Sequence, residues 1–270
     1  MAQQNSSSGI QYALTFMFHD PQWQRKLLIG FGLMFAGMIV PVIPLLFTTG
    51  YVYRIMERIL RGDGEPVLPE WSDWSKLFLD GLRFLGALLL YWLPAILLFI
   101  LGYGLMIVLP LIGAVITSVN DQAWIFILLQ IGGMLFGFGV FALGTLLALA
   151  ISLFSPLALS NLVAKDRFIA AFRPREWWQV LRANPSGYFL AWLITFGLSF
   201  VTGIAYQVIY MTIVLCCLLP FFVAAASIYL SCVTSALFAS AYRQGLAGIE
   251  NPTQAMDQAA ENKDFNAETT

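Results

Sequence analysis

The sequence has few charged residues for its length. Charged side chains make up 11% of its 270 residues, against about 25% in an average soluble domain. The formal net charge is −1, so the chain lacks the basic surface that nucleic-acid binding needs, and we expect no nucleic-acid partner. In contrast, 59% of the residues are hydrophobic and the mean hydropathy is +0.78. A lipid bilayer explains this composition, and a water-soluble core does not.

Residues that carry chemistry are also scarce. His19 is the single histidine, and the three cysteines, Cys216, Cys217 and Cys232, lie inside apolar runs and read as small hydrophobic residues. There is no phosphate-binding glycine loop, GxSxG, HExxH or CxxC motif. The long apolar runs contain no Asp, Glu, Lys, Arg or His, although pumps and proton-coupled transporters need such groups at depth. We therefore expect a protein that is not an enzyme, with no catalytic residue, cofactor or metal site.

Three of these runs predict four full membrane spans. Residues 84–120 and 122–164 are each long enough for one helix across a hydrocarbon core of about 30 Å. The connection between them, residues 117–122, has no Lys or Arg and belongs on the far side of the membrane. Residues 183–242 hold two more spans, with a turn that we place at Leu215–Pro220.

The first apolar run, residues 27–53, is interrupted by Pro41 and Pro44 and is flanked by Arg and Lys on both sides. Because basic flanks stay in the cytoplasm, we prefer a re-entrant hairpin that turns near Pro41 and Pro44, with arms of about 20 Å each. The backbone at such a turn needs hydrogen-bond partners that lipid does not supply. The alternative is a kinked fifth span.

Two basic segments follow apolar runs. The first segment comprises residues 50–83. Its apolar residues from Val52 recur at helical spacing while arginines occupy the other side, which indicates an amphipathic helix lying along the membrane interface. The second segment, residues 161–182, has the same character. Arginines are expected among the lipid headgroups and tryptophans at the edge of the hydrocarbon. The candidates are Arg54, Arg58, Arg61, Trp71, Trp74, Arg173, Arg175, Trp177 and Trp178.

Two further patterns concern packing and ancestry. Gly133 and Gly137 have the small-xxx-small spacing that permits close helix contact, which we assign to packing within the chain, with a dimer interface as the alternative. Each basic segment contains a proline followed by Glu and Trp, and each precedes a span. This order suggests a divergent internal duplication.

A resemblance to a known family is carried by the first basic segment. The motif G-Y-x-x-R-x-x-x-R at residues 50–58, followed by L-P-E-W-x-D-W at residues 68–74, resembles an uncharacterised prokaryotic family of multi-span integral membrane proteins with a domain of unknown function. The likeness extends over about residues 21–243 and includes the D-P-x-W sequence that begins at Asp20. It implies a multi-span membrane fold, and it brings no activity, substrate or site residue.

We therefore predict an all-α, polytopic membrane helical bundle. Residues 1–20 form a polar N-terminal segment, residues 21–243 the membrane domain, and residues 244–270 a disordered or weakly helical tail. We expect the tails and basic segments to lie in the cytoplasm, at the cell membrane of a prokaryote.

The expected role is that of a non-enzymatic membrane scaffold or accessory subunit. Its partners would be membrane lipids and another membrane protein or a second copy of the chain. The alternative is a transporter or lipid-handling protein for a neutral or apolar substrate, with a groove lined by hydroxyl and aromatic groups.

Overall fold

The computed structural model describes residues 15–62, 68–120, 123–212 and 216–250. Within these ranges the chain forms α-helices joined by short turns and has no strand, so the all-α prediction is confirmed. The seven helices of the described residues are α1 (Trp23–Ala36), α2 (Val42–Arg61), α3 (Trp74–Asn120), α4 (Ala123–Lys165), α5 (Pro174–Ala183), α6 (Pro185–Met211) and α7 (Leu219–Glu250).

Four of these helices, α3, α4, α6 and α7, are long and apolar enough to cross a membrane. They coincide with the four predicted spans, and the chain is a multi-pass integral membrane protein. The break between α6 and α7 falls after Met211 and before Leu219, next to the predicted turn. Prolines lie inside α3 and α4 without ending either helix. This is common in membrane helices, because neighbouring groups satisfy the freed carbonyls.

The first apolar run forms a helical hairpin, and neither of its two helices is among the four that are long and apolar enough to cross a membrane. Trp71 brings Lys26 in the first turn of α1 close to Tyr51 in the middle of α2: its indole donates a hydrogen bond to the Lys26 carbonyl, at 2.8 Å, and stacks on the Tyr51 ring, 4.0 Å away. The reversal occurs at residues 37–41, with Pro41 at the N-cap of α2 and Pro44 in its first turn. The arms contain 14 and 20 residues, or about 21 and 30 Å, so the second arm is longer than predicted.

Backbone hydrogen bonds within the turn pair most of the amides at the tip of this hairpin. The amides of residues 37–40 donate to the carbonyls of Leu33, Phe35 and Ala36, and Pro41 and Pro44 have no N–H group to satisfy. Large apolar side chains around the turn point outward: Met38, Ile39, Val40, Val42 and Ile43. The turn thus pairs the amides of residues 37–40 within itself, which reduces the number of backbone donors that lipid would leave unpaired.

The expected interfacial helix starting at Val52 is instead the second half of α2. Tyr53, Ile55 and Met56 are buried, and α2 packs against α1 and α7. An amphipathic pattern does not reveal whether the polar side faces headgroups or polar groups of the same protein. Gly62, at a φ of 78°, ends the helix as predicted.

Two compact units can be distinguished. Unit A contains residues 1–85 and 157–270, and unit B contains residues 86–156. Within unit B, a Cβ on Gly133 would lie 2.9 Å from the Leu105 carbonyl oxygen, and one on Gly102 would lie 3.0 Å from that of Gly137. The small-xxx-small glycines of α4 thus face α3, which agrees with packing inside the chain.

The last helix extends beyond the predicted end of the membrane domain. α7 passes Arg243 and continues to Glu250. Most of the predicted polar N-terminal segment and most of the predicted C-terminal tail lie outside the described residues. The suggested duplication stays a prediction. The two basic segments differ in structure: the first leads into one continuous helix, α3, which begins at Trp74, whereas the second contains a separate short helix, α5, that Asn184 divides from the span α6. Asn184 precedes a proline and caps α6 by accepting a hydrogen bond from the Gly187 amide at 3.1 Å.

Candidate functional site

The two basic segments meet at one end of unit A, which we call the polar end. The Tyr53 hydroxyl on α2 donates to Asp166, just after α4, at 2.8 Å, and Arg83 on α3 reaches the same carboxylate at 3.4 Å. Arg243 on α7 donates to the Ile59 carbonyl at 3.4 Å. The polar end therefore joins charged or polar residues of α2, α3 and α7 and the residue that follows α4.

The family-like motif of the first basic segment fastens residues 68–73 to the hairpin. The Tyr51 hydroxyl donates to the Pro69 carbonyl at 3.0 Å. The guanidinium of Arg54 donates to the carbonyls of Ser72 and Asp73, at 2.7 and 3.2 Å. With the hydrogen bond from Trp71 to Lys26, every one of these contacts ends on a backbone carbonyl. The motif residues therefore have a structural role that their spacing did not reveal.

Two glycines permit the close approach of α2 and α3 below this loop. A Cβ on Gly50 would overlap the Leu77 carbonyl oxygen, and a Cβ on Gly81 would overlap that of Leu46. Both obstacles are backbone atoms, which do not move aside as a flexible side chain does. The first glycine of the motif is thus required by the helix crossing.

A buried ion pair also supports this loop and was not predicted. Lys26 donates to Asp20 at 2.6 Å and to the Leu68 carbonyl at 2.8 Å, and Asp20 also accepts from the Gln22 amide at 2.7 Å. Both side chains are buried, so each charge needs these partners. The D-P-x-W sequence was the available signal, and it now has a structural explanation.

The second basic segment is held by a buried asparagine that sequence reasoning missed. Asn161 is fully buried near the end of α4, where it donates to the Ala170 carbonyl at 2.8 Å and accepts from the Tyr242 hydroxyl at 2.9 Å. Its amide group also lies 3.3 Å from Glu176. An amide inside an apolar run was the available signal for this contact between α4 and α7.

Glu176 on α5 forms ion pairs with two cations of the second segment. Lys165 and Arg173 donate to it at 2.7 and 3.1 Å. Hydrogen bonds from Lys165, Arg173 and Asn161 stabilise the carboxylate and lower the pKa of Glu176 to about 2. This carboxylate therefore stays ionised at any ordinary pH.

The predicted headgroup and interface residues fall into two groups. Arg54, Trp71, Arg173 and Trp177 are engaged with or buried in the protein. Arg173 is nevertheless exposed, as are Arg58, Arg61, Trp74, Arg175 and Trp178. Arg61 pairs with Glu57, the expected i,i+4 partner.

An aromatic groove lies beside the polar end, between α2 and the start of α3. It is lined by Phe47, Trp74, Ser75, Phe78 and Leu79. The rings pack on one another, with centroid distances of 5.3 Å from Phe47 to Trp74 and 5.9 Å from Phe47 to Phe78.

On the buried face of α3, the carboxylate of Asp80 is almost entirely enclosed, and its Oδ2 atom has no hydrogen-bond partner. The sequence analysis did not single this residue out, because it precedes the apolar run. Among the described residues, there is no group of three His, Cys, Asp or Glu side chains that could hold a metal ion.

Comparison with known proteins gives one family. The family described as "Protein of unknown function (DUF4013)" matches residues 33–211, about two thirds of the chain. The matched range contains the helix crossing at Gly50, the loop at residues 68–73 and the Asn161–Glu176 contacts. No curated protein and no solved structure gives a significant match.

Proposed function

Since the chain belongs to the DUF4013 family of proteins of unknown function, we propose that it is a non-enzymatic scaffold or accessory subunit of a prokaryotic cell membrane. It acts by helix packing against another membrane protein and by lipid contact at its polar end. The supporting observation is the outer surface of unit B, which is apolar, extensive and rigidly backed.

The sequence of unit B suits contact rather than chemistry. Asp121 is the only charged residue between Arg83 and Lys165. Much of the apolar surface of α3 and α4 points outward, with large exposed side chains that include Leu93, Leu97, Ile100, Ile131, Leu135, Phe136 and Phe138. In water such a surface would aggregate, and in a bilayer it is covered by lipid or by a partner helix.

Two pairs of glycines lie on different faces of α4, one facing α3 and one facing outward. Gly133 and Gly137 lie against α3, whereas Cβ atoms on Gly132 and Gly139 would meet nothing within 4 Å. The inner pair fixes the hairpin, and the outer pair leaves shallow positions where another helix can approach. This arrangement supports a partner protein on the outer face of α4.

The polar end supports the second part of the role. Arg58, Arg61 and Arg175 are exposed there, and cations near a membrane surface attract anionic lipid by about 1 kcal/mol each. By the positive-inside rule this end lies in the cytoplasm. The tails and both basic segments would then share that side.

The experiment that tests the role is site-specific photo-crosslinking in native membranes. A benzophenone amino acid is placed at Ile131 or at Leu135, both of which are strongly exposed on α4. We expect a crosslink to one defined protein, identified by mass spectrometry. The variant with Gly132→Leu and Gly139→Leu should lose that crosslink while its melting temperature stays unchanged.

Two outcomes would contradict the proposal. Crosslinks to lipid alone at both positions would remove the partner protein. Movement of fluorescent lipid between leaflets by the purified protein in vesicles would instead favour the lipid-handling alternative. As a matched control, Gly133→Leu should lower the melting temperature, because that glycine faces α3.

A further inference from the structure

The aromatic groove beside the polar end has the form of a lipid site. Its walls are Phe47 on α2 and Trp74, Phe78 and Leu79 on the first turns of α3, and Ser75 contributes one hydroxyl group. Trp74 and Leu79 are about half exposed, so the groove opens to the surroundings of the protein. In a membrane chain those surroundings are lipid.

The groove is preformed and does not depend on a ligand for its shape. Directly behind it, Gly50 and Gly81 let the backbones of α2 and α3 touch, which fixes the distance between its two walls. Trp74 is supported from above by Trp71, at a ring distance of 6.0 Å, and Trp71 is itself stacked on Tyr51. Binding a lipid chain here would cost little ordering of the protein.

A fixed cation stands at the polar rim of the groove. Arg54 is seven residues after Phe47 and therefore on the same face of α2. Its guanidinium is held by the carbonyls of Ser72 and Asp73, immediately before α3 begins, and it retains further N–H donors. The first amides of α3 add the positive end of a helix dipole at the same place.

We propose that this groove binds one anionic phospholipid. The phosphate lies against Arg54 and the Ser75 hydroxyl, and an acyl chain runs along Phe47, Phe78 and Leu79. Charge complementarity selects the occupant, since a cation directly above an apolar groove matches a phosphate directly above a hydrocarbon chain. The inference rests on the membrane placement in the proposed function and not on a partner protein.

Native mass spectrometry of the purified full-length protein tests the site. The protein is exchanged into detergent with equal amounts of phosphatidylglycerol and phosphatidylcholine. We expect one retained phosphatidylglycerol per chain. The Ser75→Glu variant places a carboxylate beside the phosphate, and like-charge repulsion should reduce retention about tenfold.

Ser186→Glu is the matched control. Ser186 is the second residue of α6, as Ser75 is of α3, and it is exposed near the polar end but outside the groove. A Glu at either position is compatible with a helix N-terminus. The control should retain phosphatidylglycerol like the unmodified protein.

Equal retention by Ser75→Glu and Ser186→Glu, or equal retention of the two lipids by the unmodified protein, would overturn the proposal. A second measurement does not depend on variants. Phosphatidylglycerol with a photoreactive acyl chain should label the peptides that contain Phe47 or residues 74–79, and labelling confined to other parts of the chain would also overturn it. Neither result bears on the crosslinking test at Ile131 and Leu135, so the two proposals fail independently.

Discussion

The first and second basic segments hold the same end of unit A by different means. In the first, donors from Lys26, Tyr51, Arg54 and Trp71 end on backbone carbonyls, and stacked rings fill the space between them. In the second, Glu176 accepts hydrogen bonds from Lys165 and Arg173, and Asn161 joins the Tyr242 hydroxyl to the Ala170 carbonyl. The first segment is therefore fixed mainly through backbone carbonyls, and the second mainly through contacts between side chains.

The difference explains which residues each segment needs. A backbone carbonyl accepts a hydrogen bond whatever side chain its residue carries. The identity of the residues in the loop at 68–73 therefore matters less than the identity of the donor residues and of the glycines at the helix crossing. The second segment needs a carboxylate and its partners together. Four predictions test this contrast, beginning with the largest expected effect.

The Gly50→Ala variant should disrupt the first segment most strongly. The new Cβ would overlap the Leu77 carbonyl oxygen, and forcing the helices apart should cost more than about 2 kcal/mol. Gly32→Ala is the matched control, because its Cβ meets nothing within 4 Å and alanine favours a helix. Thermal melting in detergent measures both. Equal melting temperatures for Gly50→Ala and Gly32→Ala would show that the close contact of α2 and α3 at Gly50 is not needed for stability.

The Asn161→Leu variant is the corresponding change in the second segment. It leaves the buried Ala170 carbonyl and Tyr242 hydroxyl without their partner, at about 1–3 kcal/mol each. Adding Tyr242→Phe should recover part of the loss, since one unpaired group is then removed. Strictly additive losses in the double variant would mean that the two side chains do not interact.

The Tyr51→Phe variant should have a smaller effect. It keeps the stacking on Trp71 and leaves one acceptor, the Pro69 carbonyl, unpaired, at about 1–3 kcal/mol. We expect hydrogen–deuterium exchange to increase in residues 68–73 and to stay unchanged at residues 168–183. Faster exchange in both regions would contradict the separation of the two segments.

The smallest expected effect is a pH dependence confined to the second segment. The pKa of Glu176 is lowered from 4.5 to about 2 by Lys165, Arg173 and Asn161. Its contribution to stability is therefore complete above pH 4.5 and is lost as the pH falls towards 2. Comparing the melting temperatures of Glu176→Gln and the unmodified protein across this range should give a difference that shrinks with falling pH. A constant difference would exclude the carboxylate as its source.

The long apolar elements were predictable because hydrophobic length is a local property. The four spans, the break after Met211 and the hairpin around Pro41 all follow from runs without charge and from prolines. The end of α2 at Gly62 follows from the freedom of glycine to adopt a positive φ.

The contacts of the polar end were not predictable, because they join residues far apart in the chain. Asn161 and Tyr242 are 81 positions apart, and Tyr53 and Asp166 are 113 apart. Arg54 and Arg61 have the same sequence character, yet the first is fixed to two carbonyls and the second pairs with Glu57 at the surface. Hydrophobic periodicity alone predicts the same role for both arginines, because both lie on the polar side of the helix.

The hairpin of the first apolar run has a consequence for biogenesis. With no charge from residue 27 to residue 53, and with the amides of residues 37–40 paired inside the turn, it can enter the bilayer from the side on which it was made, with neither flank translocated. In the orientation proposed above, the connections that cross are residues 121–122, with the single charge Asp121, and residues 212–218, with none. The insertion machinery would then have to move almost no charge across the membrane to assemble this protein.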